Sequence, residues 1–423
     1  MSDLFVALPS VTSHGCVLFA KNADRPPSEV QEVIYCPPGD HDPGSKVKCT
    51  FVEVDQASHT HGVILSKAAW SWGAEMGAND QGVTGGTAAV WTALCHPGDH
   101  EEKLLGTDLV RLALERAGTA REAVDIVTSL LTKHGQGGAC CEDPSYGQWT
   151  YHSSFLLADR TEAWLVETTG TLWVAKKIAD GVCAVSSTLS IGTDYDLSSP
   201  GLKEAAESHG HWKAENGDVD FAKAFNATFE GLSLSEKQQP ANRLQCGRAL
   251  LQSKAKAGKI TVSDMFDILR DKDSGINFSG ELLTVGSQVS AVQPPGSKVP
   301  DIHWFTATPV PDLSVFKPFI FCKNPDIGKA TISPSFSTEI KARSGSQTCA
   351  DRRHLLYRMH EQGRELMESG SPQGKKLRDI MASLEKQCVK DIIDFLECFD
   401  ESLMEEVPEL FKDITDSEVK FYK

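Results

Sequence analysis

The first residues of the chain place a hydroxyl next to a main-chain amine, and the two together can do chemistry. Methionine aminopeptidase normally removes an initiator Met that precedes a small residue, and Met1 precedes Ser2. The mature chain would then begin with a hydroxyl and a free α-amine on one residue. Because an α-amine has an ordinary pKa of about 8, it can accept the proton of its own hydroxyl. The start of the chain therefore predicts an N-terminal nucleophile at Ser2. The alternative is an acetylated, inert N-terminus, as in many cytosolic proteins that begin with Met-Ser.

A second polar segment, at 21–26, follows the second apolar run of the chain. Its simplest interpretation is a polar turn at the end of a strand, with Asn and Asp in the turn and proline ending it. The alternative is functional. If the first two strands pair, Lys21 and Asp24 lie beside Ser2, where they can hold the α-amine and a developing oxyanion.

Strands and helices must position these residues. Short apolar runs rich in β-branched and aromatic residues predict a largely antiparallel sheet in the first half of the chain, a hairpin and further strands after it, and a last strand group. These runs are 5–8, 16–20, 30–35, 50–54, 62–66, 154–167, 171–192, 283–292 and 304–321. Helical periodicity covers 102–117, a segment that begins at Thr119, much of 200–275, and finally 350–369 and 374–399. This order predicts layers with helices outside antiparallel sheets.

The composition excludes several classes of function. The 423 residues include 42 Lys and Arg against 58 Asp and Glu, a net charge of −16, which is ordinary for a globular protein but poor for nucleic-acid binding. No apolar run approaches the roughly 20 residues that cross a bilayer, and the first residues lack the features of a signal peptide. We therefore expect a cytoplasmic protein with no nucleic-acid partner and no integral membrane segment.

Cysteine and histidine are scattered along the chain. The 12 cysteines form no CxxC pair, which predicts reduced thiols rather than disulfides. His59 and His61 would share a face of a strand, which allows a metal as one alternative, but zinc-type spacing of Cys and His does not accompany them. A surface pair is the simpler interpretation, so we expect no metal and no cofactor.

The end of the chain is acidic. Residues 391–423 contain 11 Asp and Glu against 3 Lys, a net charge of −8. Such a segment is typical of a solvated surface, and the alternative is a surface that binds a basic partner.

Long blocks of the chain resemble the secernins. They include 5–9, the run AKNADRP at 20–26, WGAEMGAN at 72–79, GQGG at 135–138, YHSSFLLADR at 151–160, LRDKDSG at 269–275 and VFKPFIF at 315–321. The blocks at 29–33, 108–112 and 189–193 also match. The resemblance is colinear over 1–325 and looser in the C-terminal helices.

Secernins are similar to a family of dipeptidases within the N-terminal nucleophile hydrolases. The resemblance implies an α+β fold, an αββα sandwich of N-terminal nucleophile hydrolase type over 1–325, followed by a linker at 326–349 and a helical C-terminal region at 350–423 with the acidic tail. It implies attack by an N-terminal Cys thiolate on an amide carbonyl, with the α-amine as base and an acyl-enzyme that water releases. It also implies a cytoplasmic protein linked to regulated exocytosis.

The site departs from the family pattern. The family's Lys and Asp match Lys21 and Asp24, but its Cys falls on Ser2, and two Asn residues that are candidate oxyanion donors fall on Thr87 and Ser187. Asn79 is a further candidate for contact with substrate. Losing one oxyanion donor costs about a hundred- to a thousandfold in rate, so three changes in five positions favour altered chemistry or lost catalysis.

Two functions follow from this pattern. The first is a dipeptidase or amidase that acts on a small peptide or amide substrate through Ser2, with Lys21 and Asp24 positioning it. The second is a catalytically impaired interaction protein of the secretory machinery that uses its acidic C-terminal region.

Overall fold

Two antiparallel sheets lie face to face at the centre of the protein. A computed structural model describes residues 1–95, 101–146, 149–227, 233–334 and 351–423. The strands are β1 (Ser2–Ala7), β2 (Val17–Arg25), β3 (Gln31–Cys36), β4 (Gly39–Asp40), β5 (Lys46–Lys48), β6 (Glu53–Asp55), β7 (His59–Thr60), β8 (Val63–Ala68), β9 (Met76–Asn79), β10 (Thr84–Val90), β11 (His152–Ala158), β12 (Ala163–Thr169), β13 (Leu172–Ile178), β14 (Val182–Val185), β15 (Leu197–Ser198), β16 (Leu283–Val292), β17 (Ile302–Phe305) and β18 (Lys317–Phe319).

The order of the strands places the start of the chain inside one sheet, next to an edge strand. The six-stranded sheet has the order β14-β1-β2-β16-β17-β18, and the eight-stranded sheet has the order β15-β13-β12-β11-β10-β9-β8-β3. Two short two-stranded sheets, β4-β7 and β5-β6, accompany them. β1 pairs with β2 along its whole length, from Ser2 to Ala7, and with β14 only from Leu4 to Ala7.

Nine α-helices in the described residues surround the two sheets. They are α1 (Gly106–Arg116), α2 (Ala120–His134), α3 (Leu202–Ser208), α4 (Phe221–Phe225), α5 (Pro240–Ala257), α6 (Val262–Leu269), α7 (Leu355–Glu368), α8 (Pro372–Glu397) and α9 (Leu410–Tyr422). α1 and α2 pack on the eight-stranded sheet, whereas α5 and α6 pack on the six-stranded sheet. Thr119 caps α2 as predicted, since its hydroxyl accepts a hydrogen bond from the Glu122 N–H at 3.1 Å.

Alternating side chains fill the space between the sheets. Leu4, Val6 and Phe19 of the six-stranded sheet meet Ala88 and Leu156 of the eight-stranded sheet in one apolar core. The intervening residues of β1 and β2 point the other way, into a second core under α5 and α6. The αββα sandwich predicted for an N-terminal nucleophile hydrolase is therefore confirmed.

The C-terminal helices pack onto this sandwich. Cys388 and Ile392 of α8 join the core under the six-stranded sheet. Glu418 of α9 forms a wholly buried ion pair with Lys317 at 2.7 Å. The two helices predicted after residue 350 are present as α7 and α8, and α9 was not predicted. Most of the predicted linker, 335–349, lies outside the described residues.

Over the described ranges, none of the helices is both long and apolar enough to cross a bilayer.

Candidate active site

The N-terminus is held where the start of β1 pairs with the end of β2. The β1–β2 ladder pairs Ser2 with Ala23. Met1 extends this ladder by one residue, because its amino group donates to the Asp24 carbonyl oxygen at 2.6 Å and the Asp24 N–H donates to the Met1 carbonyl oxygen at 2.9 Å. Ser2, Lys21 and Asp24 are all buried, with exposures of 2%, 0% and 0%. The antiparallel pairing of two sequence-adjacent strands thus brings these three predicted site residues together.

Lys21 contacts the Ser2 hydroxyl. Its ammonium Nζ donates to Ser2 Oγ at 2.8 Å, and Ser2 Oγ donates to the Met1 carbonyl oxygen at 2.5 Å. Burial lowers the pKa of Lys21, and Glu75, whose Oε2 lies 3.2 Å from Nζ, opposes that shift. Gly86 on the facing sheet makes room for the lysine, since a Cβ there would lie 2.6 Å from Lys21 Cδ. A donor that carries charge at this point can stabilise an alkoxide forming on Ser2 Oγ.

The Asp24 carboxylate faces away from Ser2, towards α5. Its Oδ2 accepts from Arg243 Nη1 at 2.9 Å, and its Oδ1 accepts from the Thr284 hydroxyl at 2.7 Å. Arg243 also lies 3.4 Å from the Asp3 carboxylate. Burial raises the pKa of Asp3 to about 6, although Arg243 opposes this effect. Asp24 therefore meets the N-terminus through its main chain and anchors α5 through its side chain.

A second ion-pair group borders the site on the side of the eight-stranded sheet. Arg25 forms two hydrogen bonds to the Glu29 carboxylate at 2.7 and 2.9 Å, and donates to the Tyr151 hydroxyl and the Cys140 carbonyl at 2.5 Å each. Glu75 lies 3.6 Å from Arg25. Burial disfavours the ionised carboxyl of Glu75, yet Lys21 and Arg25 bring its pKa below the ordinary value. The site thus combines the ionised carboxyl of Glu75 with the side chains of Lys21 and Arg25, and all three are buried.

Ser187 is the fourth predicted residue at the site. Its hydroxyl oxygen accepts a hydrogen bond from the Ser2 N–H at 3.0 Å. The loop that carries it is fixed by Glu167, whose carboxylate accepts from the Ser190 N–H, the Ser190 hydroxyl and the Ile191 N–H at 2.7, 2.8 and 2.9 Å. Glu167 is therefore a positioning residue for the Ser187 loop.

Glu167 gives a pH dependence of stability that can be measured. Burial raises its pKa to about 7, against an ordinary value of 4.5, so the folded protein holds this proton more tightly than the unfolded chain. The resulting stabilisation is complete below pH 4.5 and is lost as the pH rises through about 7. We compare the free energy of unfolding of the wild type with that of Glu167→Gln. The wild-type value minus the variant value is expected to fall by about 3 kcal/mol as the pH rises across this window. Urea unfolding at several pH values measures it.

A matched control separates this effect from the other titrating groups. Glu215 is exposed, so the difference between wild type and Glu215→Gln should stay flat over the same pH range. A flat difference for Glu167→Gln as well would contradict the prediction.

Thr87 and Asn79 have other partners. Strand alternation directs Gly86 towards Lys21 and Thr87 towards α1, where its hydroxyl donates to the Ser154 carbonyl at 3.0 Å. The Asn79 amide donates to the Leu114 and Ala117 carbonyls at 2.8 and 2.7 Å, at the end of α1. The structure therefore gathers Ser2, Lys21, Asp24 and Ser187 but places these two elsewhere, and the catalytic roles of all six stay predictions.

The Met1 side chain fills an apolar pocket beside Ser2. It is 1% exposed. Its cluster includes Trp91, Leu105, Cys140, Trp149, Phe278 and Leu282. Burial also lowers the pKa of the Met1 amino group to about 5, against the attraction of Asp24. An amine at this position is therefore uncharged at neutral pH.

Sequence reasoning missed part of this site. Arg25 lies inside one of the blocks that carry the resemblance, so its position in that block was an available signal. Arg243 had no such signal, because it reaches Asp24 from a helix 219 residues further along the chain.

Histidines and acidic residues do not assemble a metal site in the described ranges. His59 Nδ1 lies 2.7 Å from the Asp40 carboxylate, and His61 Nδ1 lies 3.9 Å from that of Asp80. No group of three or more His, Cys, Asp or Glu within those ranges is arranged to hold a metal ion.

Several solved structures are similar to this chain at low sequence identity. A variant of the conjugated bile acid hydrolase from Clostridium perfringens is 14% identical, with 72% of this chain and 88% of that chain covered and a TM-score of 0.42. The penicillin V acylase from Agrobacterium tumefaciens is 12% identical, with 75% and 86% covered and a TM-score of 0.39. The Caenorhabditis elegans orthologue of N-acylethanolamine-hydrolyzing acid amidase is 13% identical, with 70% and 94% covered and a TM-score of 0.32.

One protein family also matches part of the chain. Residues 54–232 match the model of Peptidase family C69, so over this segment the chain is similar to a family of peptidases.

Proposed function

We propose that the protein is an amide hydrolase, a dipeptidase or amidase, in which Ser2 is the N-terminal nucleophile once Met1 has been removed. The observation that carries this proposal is the hydrogen bond of 2.8 Å from the Lys21 ammonium to Ser2 Oγ, in a site where both residues are buried. The match to Peptidase family C69 supports the same class of reaction.

The reaction would proceed through an acyl-enzyme. The Ser2 α-amine takes the hydroxyl proton while Oγ forms a bond to the substrate carbonyl carbon. The carbon–nitrogen bond then breaks, and the proton passes from the α-ammonium to the leaving amine. Water repeats the sequence on the ester, so that Oγ leaves, the acid is released and Ser2 recovers its proton.

The surroundings of the N-terminus support this use of the amine. Burial lowers the pKa of the Met1 amino group to about 5 at the same end of β1. A Ser2 α-amine accepts a proton only in its uncharged form, and its ordinary pKa of about 8 leaves part of it uncharged at neutral pH. It would lie near the Ser187 hydroxyl, which now accepts from the Ser2 N–H at 3.0 Å.

Two donors are available for the developing negative charge. Lys21 Nζ points at Ser2 Oγ, and the Asp24 N–H points at the carbonyl oxygen of the residue attached to Ser2, at 2.9 Å. A main-chain donor at this distance has the geometry of an oxyanion-hole group. It would serve in place of the asparagines that the family pattern leads one to expect at Thr87 and Ser187.

The test compares two forms of the protein that differ only in what precedes Ser2. The first has a free Ser2 α-amine, verified by mass spectrometry of the N-terminal peptide, and the second keeps a Gly-Gly extension before Ser2. The first form is expected to hydrolyse members of a dipeptide and amide panel, and the extended form is expected to be inactive because it has no α-amine on Ser2. Equal rates for the two forms would overturn the proposal.

We further propose that the chain is a secernin and acts in the cytoplasm. The colinear blocks over 1–325 support this finer assignment. A specific observation also favours the non-catalytic alternative, an interaction protein of regulated exocytosis. With Met1 in place, Ser2 is only 2% exposed and its nitrogen is an amide, so a chain that keeps Met1 has neither an accessible hydroxyl nor a free α-amine on Ser2.

A further inference from the structure

Met1 lies where the acyl part of a substrate would lie. In an acyl-enzyme the acyl group is bonded to Ser2 Oγ, whereas in this structure Met1 is bonded to Ser2 N and its carbonyl oxygen lies 2.5 Å from Ser2 Oγ. The two attachment points belong to one residue, so the space around Met1 is close to the space that an acyl group would occupy. The contacts of Met1 therefore indicate what the site accepts.

The main chain of Met1 is bound on both sides of its α-carbon. Its amino group donates to the Asp24 carbonyl at 2.6 Å, and its own carbonyl accepts from the Asp24 N–H at 2.9 Å. This is the pairing of an antiparallel ladder, which any α-amino acyl residue can form with the end of β2. An acylated amine loses a donor hydrogen and adds bulk at a nitrogen that is completely buried.

The side-chain pocket is apolar. Trp149, Phe278 and Leu282 have exposures of 6%, 1% and 0%, and Met1 packs among them. The nearby Arg25 guanidinium already donates hydrogen bonds to the Glu29 carboxylate and to the Tyr151 hydroxyl. A charged side chain in this pocket would lose its water and would have to compete with the existing Arg25–Glu29 and Lys21–Glu75 pairs for an ionic partner, whereas an apolar side chain gains burial.

We infer that the acyl part of the substrate is an N-terminal amino acid with a free α-amine and an apolar side chain, docked on Asp24 in the position that Met1 now holds. This inference rests on the proposed function and names the substrate class of the same site. Phe278 and Leu282 are then specificity-determining residues.

Binding to a protein without the nucleophile tests the inference apart from hydrolysis. Ser2→Ala, with removal of Met1 verified by mass spectrometry, is titrated in a calorimeter with Met-Gly, Glu-Gly, Lys-Gly and N-acetyl-Met-Gly. Met-Gly is expected to bind at least about tenfold more tightly than each of the other three. Equal binding of the charged or acetylated peptides, or no binding of Met-Gly, would overturn the inference.

A change of pocket size adds a second readout. In the same Ser2→Ala protein, Leu282→Ala enlarges the pocket and should move the preference from Met-Gly towards Trp-Gly by about fivefold or more. Leu313→Ala removes an equally buried leucine from a different apolar cluster and should leave the ranking unchanged. If Leu282→Ala does not fold, Phe278→Leu enlarges the same pocket. An unchanged ranking in the enlarged pocket would count against the inference.

The two proposals fail in different ways. If Ser2→Ala binds Met-Gly selectively but the protein that begins at Ser2 does not hydrolyse the panel, only the proposed function is contradicted. If the protein hydrolyses the panel with no preference for an apolar first residue, only the inference about the substrate is contradicted.

Discussion

Ser2→Ala is expected to lower the rate of dipeptide or amide hydrolysis by at least about 10³-fold, because it removes the atom that forms the acyl bond. Alanine is small, so Met1 removal should proceed and the α-amine should stay free. The exchange deletes one hydroxyl that contacts Lys21 Nζ at 2.8 Å, and the Lys21–Glu75 ion pair remains. The measurement is kcat/KM on the most reactive substrate of the panel, with the unfolding midpoint as a check on the fold.

Ser2→Cys is the matched control for this prediction. A thiol at the same position has an ordinary pKa of about 8.5 and is a stronger nucleophile as its thiolate, so the variant should keep activity or exceed the wild type. Its activity should be lost on alkylation of the N-terminal thiol, which serine does not undergo. Full activity of Ser2→Ala would show that a different group performs the chemistry.

The architecture was predictable because its elements repeat a short pattern. Alternating apolar runs in β1, β2, β11 and β12 each bury one face between the sheets, and this periodicity is visible in a single sequence. α9 was not predicted because its buried positions, such as Phe411 and Glu418, lie in an acidic segment without a long apolar stripe. Glu418 is buried only because Lys317, about a hundred residues earlier, pairs with it.

The site was predictable where it depends on adjacent strands. Ser2, Lys21 and Asp24 come together because β1 and β2 form a hairpin-like pair, and such pairing follows from sequence order. The direction of a side chain is harder to predict. The carboxylate of Asp24 points to Arg243, and this contact depends on how α5 packs against β1 and β14.

Thr87 shows a second limit of prediction from sequence, which concerns the face of a strand that a residue takes. A shift of one residue along a strand moves a side chain to the opposite face, and Gly86 occupies the face towards Lys21. A motif position alone does not say which face its residue takes. The register of β10 with β11 decides it, and that register pairs Thr87 with Phe155.

Arg243→Met is expected to destabilise the fold by about 3–5 kcal/mol, because it leaves two buried carboxylates without their cation. Asp3 and Asp24 lie 3.4 and 2.9 Å from the Arg243 guanidinium, and all three residues have exposures of 1% or less. Methionine preserves most of the side-chain length, so the lost charge dominates over lost packing. Urea unfolding at pH 8 measures the change, and Arg248→Met on the exposed face of the same helix is the control.

The sign of the pH dependence identifies the cause of this destabilisation. Without Arg243 the buried carboxyl of Asp3 would bind a proton more readily than in the wild type, where burial already raises its pKa to about 6. The deficit of Arg243→Met relative to the wild type should therefore shrink as the pH is lowered from 8 to 5. Adding Asp3→Asn to Arg243→Met removes one of the two unpaired charges and should recover part of the loss at pH 8. A deficit that is the same at both pH values, and that Asp3→Asn does not relieve, would mean that Arg243 stabilises the fold through packing on Phe278 rather than through charge.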